Sequence, residues 1–145
     1  MEESSHSIAN QWRAARTALI HRHIAAENQH DLPALMATFS RPSYELVALD
    51  SSAVGAIAVA DLMGRLLTAF PTLYTEVFAL YHADLAVILE GQWVGVQTGA
   101  WLGLPASGRV MNLPFVAIFK FEETRLVGKK VYFDSGLMMR QLTSA

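Results

Sequence analysis

The sequence predicts an α+β domain: one curved sheet of long antiparallel strands with three N-terminal helices against its concave face. Two observations carry this. Apolar residues recur at helical spacing as far as Phe70, and beyond Pro71 the period becomes alternating. In the segment 109–121, Met111, Leu113, Phe115, Ala117, Phe119 and Phe121 form one wholly apolar face, while Asn112, Pro114, Val116, Ile118 and Lys120 form a mixed one. A strand so apolar on both sides is covered on both. One side is expected to meet the helices or a cavity, the other a second copy of the chain.

The elements follow in order. Residues 1–6 are expected to fray. From Ser7 to about Gln29, Ile8, Trp12, Ala15, Leu19, His23 and Ala26 form a helical stripe. A second short helix spans 31–39, with Asp31 suited to cap it and Pro33 suited to its first turn. Arg41-Pro42 ends it, and 44–49 reads as a short strand before a turn at 50–52. A third helix buries Val59, Met63, Leu66 and Phe70; Asp61 and Arg65 form a surface pair on it worth a few tenths of a kcal/mol. Strands are expected at 73–82, 85–98, 109–121 and 126–133, with a loop at 99–108 and a closing turn of helix after Asp134. Repeats and linkers are absent, so residues 1–145 are read as a single domain.

Composition narrows the function classes. Of the 145 residues 52% are apolar and only 17% charged, against the roughly one quarter usual in soluble domains. A small domain of this kind hides a greasy cavity, a subunit face, or both. A net charge of -2 with scattered Lys and Arg gives no footprint for nucleic acid. Without Cys there is no thiol chemistry or thiolate metal site. No apolar run reaches membrane-spanning length, and the opening MEESSHSIAN lacks the pattern of a signal peptide. The expectation is a cytoplasmic homodimer without membrane or nucleic-acid partners.

Among candidate site residues Asp134 comes first. It sits at the end of an apolar strand, where it either caps the following helix or is held in a cavity, whose poor solvation would bring it toward acid/base range. Tyr132 and Lys130 share its face by strand alternation; Tyr132 is taken as a substrate contact, whereas Lys130 is left out of the catalytic set. His23 and Glu27 lie one helical turn apart and can meet. Trp93, Gln97 and Trp101 share parity, and two indoles with an amide suit a flat, oxygen-bearing ligand. Asn112 needs a partner if buried, which Gln97 or a ligand would supply. No His, Asp and Glu cluster has metal-ligand spacing, and neither a phosphate cradle nor a serine-hydrolase elbow is present. No cofactor is expected.

Four strings carry a family resemblance: HIAAENQHDLPALMATFS (His23 to Ser40), LLTAFPTL (Leu66 to Leu73), GVQTGAWLGLPASGR (Gly95 to Arg109) and VYFDSGLMMRQL (Val131 to Leu142). Together they resemble the SnoaL-like polyketide cyclases of the nuclear transport factor two-like superfamily. The resemblance implies a dimeric cone with an apolar pocket, in which an Asp near the end of the last strand acts as general acid/base in an intramolecular aldol closure. The matching residue is Asp134. The chain departs from the pattern at Gln97, where many relatives carry a His in a Gly-Thr-His-Thr-Gly string; Gln97 cannot titrate. The implied function is a cofactor-free cyclase or isomerase acting on a small hydrophobic carbonyl compound, with Gln97, Trp101, Asn112, Tyr132 and His23 around the substrate. Two alternatives stand beside it. One is epoxide hydrolysis on the same fold, which calls for an Asp-Arg-Asp set that Val96 to Thr98 does not supply. The other is a non-catalytic, ligand-binding dimeric domain, because fold alone does not decide function.

Overall fold

The computed structural model describes residues 2–143, with side chains from residue 7 onward. Helices α1 (Glu2–Asn28) and α2 (Leu32–Ala37) lead into strand β1 (Ser43–Leu46), a 3-10 turn (Val47–Leu49) and strand β2 (Ser51–Val54). Then come α3 (Ala56–Ala69), the long strands β3 (Tyr74–His82), β4 (Ala86–Val96), β5 (Val110–Glu122) and β6 (Arg125–Phe133), and α4 (Ser135–Thr143).

The six strands form one sheet in the order β2-β1-β6-β5-β4-β3. All neighbours are antiparallel except β1 and β6, which run parallel, so the sheet is mixed and is not closed into a barrel. Alternation locates strands but not their partners, so the parallel β1–β6 pair is not legible in it, and the turn expected at 50–52 leads into an edge strand. Asp50, at a φ of 49°, closes the 3-10 turn and returns the chain as a four-residue edge strand. Curvature comes from bulges. Between Val77 and Ala79 the β3–β4 register slips past Phe78, and opposite it a Cβ on Gly91 would collide with the Glu76 carbonyl.

The apolar row of β5 faces the helices as expected; Met111, Leu113, Ala117 and Phe119 have no exposed surface. Ile20, Leu35, Met63, Phe70 and Leu89 pack into the same core. Helix α1 differs from expectation in extent and phase. It is already helical at Glu2, and its buried residues are Arg16, Ile20, His23, Ile24, Ala26 and Glu27; of the expected stripe His23 and Ala26 are buried, whereas Ile8, Trp12 and Ala15 are exposed. Arg16 explains the shift. Its guanidinium donates to the carbonyls of Glu123 (2.6 Å) and Asp84 (2.9 Å) and lies over the Phe121 ring, which ties the helix to two hairpin turns. Asp31 caps α2 as predicted, accepting from the Ala34 amide at 3.1 Å.

Candidate functional site

The interior polar cluster is built from α1 and β6. His23 and Glu27 lie one turn apart on α1, and both side chains point at Lys129. Lys129 Nζ donates to Glu27 Oε2 and to His23 Nε2, each at 3.1 Å. Thr75 donates to Glu27 Oε1 at 2.6 Å. The Thr38 hydroxyl gives its proton to the Leu35 carbonyl (2.6 Å), so at 2.8 Å it accepts from His23 Nδ1–H. That assigns the tautomer: His23 is neutral, with Nε2 as acceptor for the lysine. Burial, and after it the Lys129 charge, holds the His23 pKa well below the ordinary imidazole value. The Phe39 and Phe119 rings meet His23 edge-on, and Lys129 lies 5.2 Å from the Tyr44 and Phe119 ring centres. Burial pushes the Tyr44 phenol well above its ordinary range, with the Glu27 charge adding to it. The cluster is sealed: His23, Glu27 and Lys129 expose 0%, 2% and 3% of their surface.

The other predicted site residues do not converge on that interior. Asp134 is exposed, and its Oδ1 accepts from the Leu137 amide at 3.1 Å at the start of α4. The expectation of a carboxylate kept from water is therefore corrected. The local turn needs an N-cap, and the capped position lies on the surface. Tyr132 and Lys130 also face outward. They pair with Val116 and Ile118 on the outer side of β5, while Lys129, Val131 and Phe133 alternate with them. Asn112 is exposed on that outer side, and its backbone, not its side chain, is held by the Gln141 amide at 2.9 and 2.8 Å. Gln97 is fully buried but already occupied. It accepts from Ser107 (2.7 Å) and donates to the carbonyls of Gly99 (3.2 Å) and Leu104 (3.3 Å), so it organises the loop after β4. His23 is brought together with Glu27, as its spacing allowed. Lys129 was missed. The available signal was its alternation with Val127, Val131 and Phe133, which on an inward face demands an acidic partner.

Trp101 is placed differently from the rest. A cleft of about 660 Å³ opens between α3, the β1–β2 connection and the loop after β4. Leu46 and Leu49 line one wall, and Trp101 and Leu102 line the other. Trp101 is buried edge-on against Phe70. The turn that presents it is tight. Trp101 and Leu104 exchange backbone hydrogen bonds at 3.0 and 2.9 Å, with Leu102 at φ 53° and Gly103 at φ 75°. Glycine tolerates that conformation, but a leucine there is unusual and is strained by about 1–2 kcal/mol. Strain that holds an exposed apolar side chain at the edge of a cleft is a recurring mark of a contact site. Asp61 and Arg65, one turn apart on α3, also line the cleft, and Arg65 Nε donates to Asp61 Oδ2 at 3.2 Å. No sequence signal separated this pair from an ordinary surface pair. Among the described residues no His, Asp and Glu group could hold a metal ion, and no helix is long and apolar enough to cross a membrane.

This arrangement defines a ketosteroid isomerase-like α+β fold, and solved structures match it over most of their length. TsrD from Streptomyces laurentii is 23% identical, with a TM-score of 0.78 over 92% of this chain and 98% of its own. A protein of ketosteroid isomerase-like fold from Catenulispora acidiphila, solved with trimethylamine, is 14% identical, with a TM-score of 0.74 over 86% and 91%. An NTF2-like protein of unknown function from Burkholderia pseudomallei is 18% identical, with a TM-score of 0.75 over 90% and 98%. No curated protein matches the chain. The model of the SnoaL-like polyketide cyclases matches residues 17–142, and the chain belongs to that family.

Proposed function

We propose that the protein is a cofactor-free cyclase or isomerase, and that a small hydrophobic carbonyl compound reacts in the α3 cleft. The observation that carries this is one apolar cleft of about 660 Å³ with a carboxylate and a guanidinium side by side in its lining. Such a site holds an apolar body and fixes one polar function. A methylene between two carbonyls is acidic enough to lose a proton to a carboxylate that is only weakly basic. Asp61 takes that proton, and Arg65 stabilises the enolate oxygen. The enolate carbon then attacks a third carbonyl, further along the same folded molecule, forming one carbon–carbon bond. The resulting alkoxide recovers the proton from Asp61. Holding both ends of the substrate in reach supplies much of the rate enhancement.

The test compares Asp61→Asn with Asp134→Asn on a panel of polyketide-like compounds that carry a 1,3-dicarbonyl and a further carbonyl along the chain. Asp61→Asn is expected to lose at least tenfold in turnover with ligand binding retained, while Asp134→Asn keeps its turnover. The reverse pattern would move the chemistry to the surface cap. A non-catalytic binding domain is the second reading, favoured by the solvation of the Asp61–Arg65 pair, two thirds of which is exposed. Ligand binding without turnover in the unaltered protein would support it. We also propose a homodimer across the outer sheet face, where Phe78, Val116 and Tyr132 surround a hollow of about 220 Å³ and stay exposed in the single chain. A monomer in sedimentation at micromolar concentration would contradict the dimer.

A further inference from the structure

A second hollow adjoins the cleft. It has a volume of about 640 Å³ and is lined by Val54, Gly55, Ala56, Ile57, Ala58 and Asp61, so Asp61 belongs to both. Its walls are otherwise apolar or backbone. Ile57 is 89% exposed and Val54 79%, the two most exposed large apolar side chains among the described residues. Nothing in the packing of α3 requires them: its core contacts come from Val59, Leu62, Met63, Leu66 and Leu67. Two neighbouring apolar side chains left in water mark a contact surface, and the Asp61 shared by both linings makes that surface continuous with the cleft.

We propose that the site is bipartite and takes an elongated substrate: an aromatic or compact apolar end in the cleft, a dicarbonyl at the Asp61–Arg65 pair, and an alkyl tail over Val54 and Ile57. This rests on the cleft being the substrate site. The geometry explains why the charged pair lies at the lip and not at the bottom of the cleft: the lip is the middle of the ligand path. It also gives the chain a length preference, because each methylene laid on the second hollow leaves water. The favourable transfer of one buried methylene corresponds to about a threefold to fourfold gain in affinity.

The experiment uses benzoylacetone and its homologues in which the terminal methyl is extended to propyl, pentyl and heptyl, titrated against the full chain by tryptophan fluorescence. In the unaltered protein Kd is expected to fall by about threefold per added methylene over the first few carbons. Ile57→Asp is expected to abolish that dependence, so that Kd no longer changes from benzoylacetone to its heptyl homologue. Thr68→Trp, an exposed position that narrows the cleft, is expected to weaken every member at least tenfold. Failure of benzoylacetone to bind, or indifference to Thr68→Trp, would overturn the cleft reading. Binding that Thr68→Trp removes but that does not change with tail length would leave the cleft and overturn the bipartite site. A loss of molecular mass in sedimentation of Ile57→Asp would assign Val54 and Ile57 to a second copy of the chain and overturn it too.

Discussion

Two helical pairs of the same spacing sit in opposite environments. His23 and Glu27 on α1 are sealed with Lys129 inside the domain, while Asp61 and Arg65 on α3 are about two thirds exposed at a cleft. In the first pair every polar atom but one lysine hydrogen is matched to a protein partner, and no surface remains for a ligand. In the second the partners can exchange with a ligand at little cost. An interior cluster of charged groups fixes how the helix docks on the sheet; a charged pair at an opening can act on something that enters. Titratable residues gathered in a core are therefore a poor guide to chemistry unless something can reach them.

The largest expected effect breaks the sealed side. Lys129→Ala leaves the Glu27 carboxylate buried without its partner, and stability is expected to drop by about 3–5 kcal/mol. Combining Lys129→Met with Glu27→Leu should recover most of that loss, because a charge-free pair needs no partner. Urea unfolding of the three proteins checks both statements. A single substitution that costs under 1 kcal/mol would mean that water reaches the cluster, and the contrast between the two pairs would vanish.

A smaller effect follows from pH. The folded pKa of His23 lies below its unfolded value near 6.5, so the unfolded chain binds the proton more readily. The stability contribution is complete above about pH 6.5 and shrinks as the pH falls below it. Protonation would also set an imidazolium 3.1 Å from the Lys129 ammonium. His82 adds to the same window, its pKa lowered by burial and then by Arg13 and Arg16. Thermal unfolding between pH 7.5 and 5 should show a falling midpoint, and His23→Leu should flatten most of that slope. Smaller again is Asp134→Ala, expected to cost about 1 kcal/mol by uncapping α4 without a change in turnover. Equal stability with lost turnover would make Asp134 the reacting acid after all.

Most of the fold was legible because it rests on period. The stripe of α3, the alternation of β5 and the stop at Pro71 need only local chemistry, and each stands where expected. The four segments that carried the family resemblance lie within residues 17–142, which match the family. Register was not legible. Alternation separates Lys129 from Lys130 but does not say which of them faces inward; the pairing of β6 with β5 decides that, and it puts Tyr132 and Lys130 outside. Register likewise puts Asn112 outside, and Gln97 is lost as a ligand contact for a related reason. A polar side chain in an apolar run is free for a ligand only if the nearby backbone leaves it free, and the loop carbonyls and Ser107 claim Gln97. Of the residues singled out in the sequence, Trp101 is the one that lines the cleft proposed here as the site, with its ring packed edge-on against Phe70.

The smallest effect is the most discriminating one for the open side. In Asp61 and Arg65 the acid precedes the base by four residues, the favourable order on a helix. A double-mutant cycle with Asp61→Ala and Arg65→Ala should give a coupling of only about 0.3–0.5 kcal/mol in stability, fading as salt is raised. The same cycle on His23 and Lys129 should couple several times more strongly and resist salt, since bulk ions do not screen a sealed pair. If the α3 pair instead couples strongly, the two residues are held together by the fold and are not available to a substrate. If it couples weakly while Arg65→Ala still abolishes binding of a dicarbonyl ligand, the guanidinium is at the cleft for the ligand and not for the helix.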